Sequence, residues 1–133
     1  MSFIFDTSSI FEVLIKGNVK VLNDNYTLEI ARYELGNILW RRKTLIKDIS
    51  DEEYIRLANL MKKVLKLLNI INIECYEAEI LKVAEEFETT FYDSSFVFIA
   101  KIKNTPLITD DENLRRRVKG YIKVMNIEEL YNS

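Results

Sequence analysis

Short apolar runs that break into a turn or an acid and then into a helical pattern recur along this chain, and that alternation leaves few folds open. Phe3-Ile4-Phe5 ends at Asp6, and Tyr26 to Ile30 leads into a helical stretch expected over about 31–43. Ile70 to Ile73 precedes another helix, Pro106-Leu107-Ile108-Thr109 ends at Asp110-Asp111, and Tyr121 to Met125 precedes a short terminal helix. Strands that alternate with helices predict a mostly parallel sheet with helices on both faces, a three-layer α/β fold. Right-handed crossovers then line the carboxyl ends of the strands along one edge. At 133 residues, with no linker or internal repeat, one domain spanning 1–133 is expected.

The helices carry their own signals. Ser9-x-x-Glu12 reads as a capping box for a helix that runs to Lys16 and closes at Gly17. The segment 19–22 fits a helical turn or a strand equally. Ser50-x-x-Glu53 opens the clearest helix, in which Tyr54, Leu57, Ala58, Met61, Val64, Leu65 and Leu68 share one stripe. Leu60 and Leu67 lie off that stripe and call for a second contact surface, either a core neighbour or another subunit. Glu77 to Glu88 is amphipathic, with Ile80, Leu81, Ala84 and Phe87 expected inward. Tyr92 to Lys103 is apolar on most sides and is expected to be the most buried helix.

Composition narrows the chemistry. Histidine is absent, which removes Ser-His-Asp and Cys-His catalysis and the usual zinc ligands. Cys75 is the only cysteine, so no intramolecular disulfide forms. Any reaction therefore rests on carboxylates, hydroxyls, lysines or a hard metal ion held by oxygen. No apolar run is long enough to span a bilayer, and no basic region precedes the first strand, so a cytoplasmic protein without a membrane partner is expected. The net charge of -2 supplies no overall pull on nucleic acid. Basic residues gather at Arg41-Arg42-Lys43 and at Arg115-Arg116-Arg117, where a solvated helix face competes with phosphate contact as the explanation.

The acids fall where strands end or helices begin. Asp6, Asp93 and Asp111 each fit a helix start, where a carboxylate caps backbone N–H groups and favours the helix dipole. Glu34 instead lies mid-helix among Tyr33, Leu35, Ile38 and Leu39, and needs a partner if it is buried. Asn37, one turn later, either hydrogen-bonds Glu34 or shares a bound water with it. A parallel sheet carries all of these acids to one edge. Gathered carboxylates repel one another unless a cation intervenes, and a divalent ion there can activate water against a phosphodiester. No GxxxxGK[ST] loop and no GxGxxG occurs, so nucleotide-binding loops are excluded. A haloacid-dehalogenase pattern fails because Ser8 stands where its second acid belongs, and a receiver-domain pattern fails because the acid pair comes late.

Taken together, FIFDTSSI at the N-terminus, ARYELGNILWR around Glu34, FYDSSFVFIAK around Asp93 and PLITDDENL before a basic helix resemble a PIN domain. Among PIN domains the chain is similar to the VapC-type toxins of VapBC toxin–antitoxin pairs. The resemblance covers nearly the whole chain and departs mildly at Ser94-Ser95, where small apolar residues are commoner. It implies a PIN-like fold and an endoribonuclease dependent on Mg²⁺ or Mn²⁺. Asp6 and Asp93 would hold the metal directly, with Glu34 and Asp111 completing its shell directly or through water. Thr109, Asp111 and Leu114 fit the family's T-x-D-x-x-L pattern, which leaves Asp110 as the extra acid. Ser8 and Asn37 match its supporting polar positions. The resemblance further implies an RNA substrate, a homodimer and a VapB-type antitoxin whose C-terminal segment lies over the acidic groove. Arg115, Arg116 and Arg117 are expected to contact phosphate. The alternative is a PIN-like RNA-binding or scaffold protein without cleavage, against which the four intact acids argue.

Overall fold

A computed structural model describes residues 1–133 in full. In chain order the elements are β1 (Ile4–Phe5), α1 (Thr7–Lys16), a 3-10 turn (Val19–Leu22), β2 (Tyr26–Leu28) and α2 (Ile30–Arg41). A π-helical turn (Arg42–Ile46), α3 (Asp51–Leu67), β3 (Asn69–Ile71), α4 (Glu77–Phe87) and α5 (Phe91–Lys103) follow. The chain closes with β4 (Leu107–Ile108), α6 (Glu112–Arg117), β5 (Val124–Met125) and α7 (Ile127–Tyr131).

The sheet has five strands in the order β3-β2-β1-β4-β5, and every pairing is parallel. Strands this short are held by burial rather than by ladder length. Ile4, Phe5, Leu107 and Ile108 are inaccessible to solvent, at the heart of an apolar cluster of 25 buried residues. The chain winds outward from β1 to β3, then returns through α4 and α5 to place β4 on the other side of β1. That reversal puts a topological switch point between β1 and β4, and the crevice at the carboxyl ends of those two strands is where an open α/β sheet takes its ligand.

Side chains lock the central strands together. The Thr27 hydroxyl donates to the Phe5 carbonyl at 2.7 Å, and Asn25 Oδ1 accepts from the Phe3 N–H at 2.8 Å. The Ser9 hydroxyl, wholly buried, reaches the carbonyls of Asp6 and Ile108, both at 2.9 Å, and so ties the end of β4 to the first turn of α1. Ser9 is therefore a tie between elements and not the cap expected of it. Asp6 caps α1, accepting the Ser9 N–H, and Gly17 closes the helix in the left-handed region at φ 82°.

The helical layer departs from its pattern in places. On α3, Leu57, Val64 and Leu65 are buried as the stripe predicts, whereas Ala58 is exposed. Of the two residues off the stripe, expected to meet a core neighbour or another subunit, Leu60 packs against the core and Leu67 is half-buried. On α4 Ile80 is buried and Ala84 and Phe87 are half-buried, as the spacing predicts, but Val83 is buried and Leu81 stands 57% exposed. The face therefore shifts toward Val83, a choice that spacing alone does not make. α5, expected to be the most buried helix, buries six of its 13 residues, whereas α1 buries five of ten; α5 also contains Ser94, a buried hydroxyl without a hydrogen-bond partner.

Candidate active site

Each acid reaches the carboxyl edge of the sheet for a topological reason. Asp6 follows β1 and Asp111 follows β4, so the two flank the switch point. α5 feeds β4 and must run against the strand direction, which puts its first turn, and Asp93 with it, at the same edge. α2 leaves β2 from that edge, and Glu34 lies in its first turns. Asp6, Glu34, Asp93 and Asp111 consequently line one groove of about 480 Å³, together with Thr7, Ser8, Tyr33, Asn37 and Tyr92. No lysine or arginine lines it.

The carboxylates are held individually. Asp6 Oδ1 accepts the Ser8 hydroxyl at 2.9 Å and the Ser9 N–H at 3.0 Å. Glu34 Oε1 accepts the Thr7 hydroxyl at 2.6 Å, which supplies the partner that a mid-helix acid requires. Asp111 Oδ1 caps α6 by accepting the Leu114 N–H at 3.1 Å, and the Thr109 hydroxyl accepts the Asp111 N–H at 3.1 Å. Asp93 has no such duty, because Thr90 caps α5 and its hydroxyl accepts the Asp93 N–H. Capping thus explains Asp6 and Asp111 in part, and leaves Asp93 and Glu34 unexplained.

Electrostatics set these acids apart from those on the surface. Burial pushes the Asp6 carboxyl up to about 6, against weaker opposing hydrogen bonds from Thr109, Ser9 and Ser8. Asp93 is also raised, first by burial and then by the neighbouring charges of Asp111 and Glu34. An acid raised by its acidic neighbours lacks a countercharge, and carboxylate oxygens are hard donors suited to Mg²⁺ or Mn²⁺. No three of them converge into a closed ligand set in this conformation. Thr7, Leu114 and Ser9 bond Glu34 Oε1, Asp111 Oδ1 and Asp6 Oδ1, while Glu34 Oε2 and Asp111 Oδ2 stay free of protein hydrogen bonds. The donor chemistry fits a divalent cation.

The remaining expected residues divide. Ser8 and Asn37 line the groove, and buried Thr109 supports it from beneath. Asp110 does not line it, because its Oδ1 accepts the Ile127 N–H at 3.2 Å and holds α7. Arg115 pairs with Glu129, Arg116 bonds Asn113, and both line a separate groove with Lys119. Arg117 alone of the three lies beside Asp93 and Asp111, in a side lobe of about 190 Å³. Thr7 and Tyr92 went unassigned from sequence. Thr7 reads as a plain residue of the first helical turn, and only the approach of α2 gives it Glu34 to hold.

A parallel sheet reversed at β1/β4 with four acids on its carboxyl edge defines a PIN-like α/β domain. The chain belongs to the VapC toxin family of PIN-domain proteins. It is 32% identical over 97 residues to exonuclease VapC9 of Pyrobaculum aerophilum, covering 73% of this chain and 69% of that one. It is 29% identical to ribonuclease VapC3 of the same organism, covering 73% of each chain. Among solved structures it matches PAE2754 of Pyrobaculum aerophilum at a TM-score of 0.82 and 27% identity, over 98% of this chain and 95% of the other. The VapBC2 structure from Rickettsia felis shares the fold at a TM-score of 0.58 and 17% identity, over 95% of this chain and 98% of that one. No protein-family model matches the chain. No helix is long and apolar enough to cross a membrane.

Proposed function

We propose that the protein is a divalent-cation-dependent endoribonuclease, the toxin partner of a VapB-type antitoxin. The observation that carries this reading is the convergence of Asp6, Glu34, Asp93 and Asp111 on one groove whose lining holds no basic residue. Family membership supports it, and the names of the VapC relatives supply the nuclease class. One of those names is exonuclease. Internal cleavage is favoured here because the acid groove borders two further depressions. A cleft shares Ile30 and Tyr92 with it, and a lobe shares Asp93 and Asp111.

Asp6 and Asp93 would hold the cation, Mg²⁺ or Mn²⁺, and Glu34 and Asp111 would complete its shell. When bound, that ion neutralises charge on the phosphodiester and makes water a stronger nucleophile at neutral pH. Ser8 and Ser9 fix Asp6 in a single orientation through Oδ1. Thr7 does the same for Glu34, which leaves Oε2 to accept a proton from the attacking water. Asn37 lines the same wall and offers an amide to a water bound there. Tyr33 and Tyr92, 68% and 55% exposed, flank the groove with ring faces available to unpaired bases.

Purified protein should cut single-stranded RNA with Mg²⁺ or Mn²⁺ and stop in EDTA. Asp6→Asn and Asp93→Asn should each lower cleavage by at least about a hundredfold while the fold survives, an effect of the size seen when charge is removed from an activated site. Cleavage that persists in EDTA, or in both variants, would overturn the metal mechanism, and no cleavage by the unaltered protein would leave the scaffold alternative standing.

A further inference from the structure

The groove has one cation at its border, and its geometry is unusual among the arginines of this chain. Arg32, Arg42, Arg56 and Arg115 are each ion-paired with a carboxylate. Arg117 is tied only to main-chain carbonyls, with Nη1 donating to Glu88 at 2.8 Å and to Phe87 at 3.4 Å. Glu88 is the left-handed closing residue of α4, at φ 52°, and its carbonyl is thereby turned toward α6. Both tethers use the same nitrogen, so Nε and Nη2 remain free to donate.

The tether matters because Asp93, Asp111 and Glu88 line the same lobe as Arg117. An untethered guanidinium there would fold onto the nearest carboxylate and cancel its charge. Held by two carbonyls, it stays beside the acids without pairing to them. Thr89, Thr90, Asn113 and the buried Leu114 make the rest of the lobe uncharged, and Asn113 is oriented by Arg116.

We infer that Arg117 and this lobe bind the RNA phosphate next to the scissile one, so that the strand runs from the acid groove over the first turn of α5 toward α6. The inference rests on the nuclease reading of the acid groove and adds the direction in which the substrate leaves it. A guanidinium that keeps two donors in one plane suits a phosphate, and the groove lining offers no other cation to hold one. The carboxylates of Asp93 and Asp111 would repel that phosphate unless neutralised, so occupancy of the lobe is linked to the presence of a divalent ion. Arg115 and Arg116, on the same short helix, face a different groove and take no part.

The test is fluorescence anisotropy of a labelled single-stranded oligouridylate bound to the full-length protein, with Ca²⁺ replacing Mg²⁺. Affinity is read from roughly 50 to 200 mM KCl, the range over which phosphate contacts show their salt dependence. Arg117→Ala should weaken binding by about tenfold and lower the salt slope by about 0.7, the value of one phosphate contact on a single strand. Arg117→Lys should keep the slope while losing part of the affinity, and Arg116→Ala should change neither. A purely structural tie between α6 and α4 would shift the melting temperature and leave the slope untouched. Should Arg117→Ala fail to fold, the comparison of Arg117→Gln with Arg117→Lys carries the same information. An unchanged slope, an equal loss in Arg116→Ala, or no binding by the unaltered protein overturns the inference. If Asp93→Asn still cuts RNA, the nuclease reading of the acids fails on its own, separately from the slope.

Discussion

The carboxylate of Asp6 closes the first turn of α1 and faces the groove while only 6% exposed. One side chain therefore serves local structure and the proposed site together, and the two demands conflict over charge. Burial lifts its pKa from 3.8 to about 6, so the folded state holds this proton more tightly than the unfolded chain does. Its stabilising contribution is full below about pH 3.8 and is lost as pH rises through about 6. The loss amounts to about 3 kcal/mol at most. In EDTA, the unaltered protein should accordingly melt lower at pH 7.5 than at pH 5, relative to Asp6→Asn, which keeps an amide oxygen for the cap. A variant and parent with parallel pH profiles would show that Asp6 is not held in the uncharged form. Asp93 shifts in the same direction, through burial and then its acidic neighbours.

The elements differ in how much of their surface the domain needs. α3 has a wide apolar arc that resembles a subunit contact, yet Leu60 packs against the core and only Ile55, at 60% exposure, projects freely. On α4 the free apolar residue is Leu81. Leu60→Asp should therefore cost at least about 2 kcal/mol by putting a carboxylate against apolar neighbours, lowering the melting temperature by circular dichroism. Ile55→Asp and Leu81→Asp should leave the fold intact. If the proposed homodimer uses this layer, those two variants should be monomeric by light scattering at tens of micromolar while the parent is dimeric. A parent that is itself monomeric removes the dimer from the proposal.

Across the whole molecule, the acid groove is a concentrated charge on an otherwise nearly balanced surface, since the net charge is only -2. Placing four acids at one edge of the sheet opposes folding until a cation enters, so a ligand that binds only the folded state stabilises it by mass action. At a hundred times its dissociation constant, Mg²⁺ should stabilise the protein by about 2.7 kcal/mol, read as an upward melting shift that EDTA reverses. Asp93→Asn should melt at or above the parent in EDTA, because it removes a carboxylate raised by its neighbours, and should gain much less from Mg²⁺. A large loss of stability for Asp93→Asn in EDTA would count against mutual repulsion at the groove.

The division between sequence and structure follows the range of the interactions. Strand–helix alternation, the helix-closing Gly17 and the Ser50 cap are local, and the chain displays them directly. The convergence of Asp6, Glu34, Asp93 and Asp111 was also legible, because parallel topology sends strand ends to one edge and the motifs around these acids resemble a known family. Facts that depend on which surface meets which were not. Ser9 reads as a cap until β4 arrives with the Ile108 carbonyl, and Asp110, the extra acid beside Asp111, has no role until it accepts the Ile127 N–H. Leu81 and Val83 exchange places because helical spacing defines a face but not its neighbour. The three consecutive arginines look alike in sequence, and only the packing of α6 against the end of α4 leaves Arg117 beside the acids while Arg115 turns to Glu129. Periodicity and capping act within a few residues, whereas these choices are settled by partners 14 to 99 positions away along the chain.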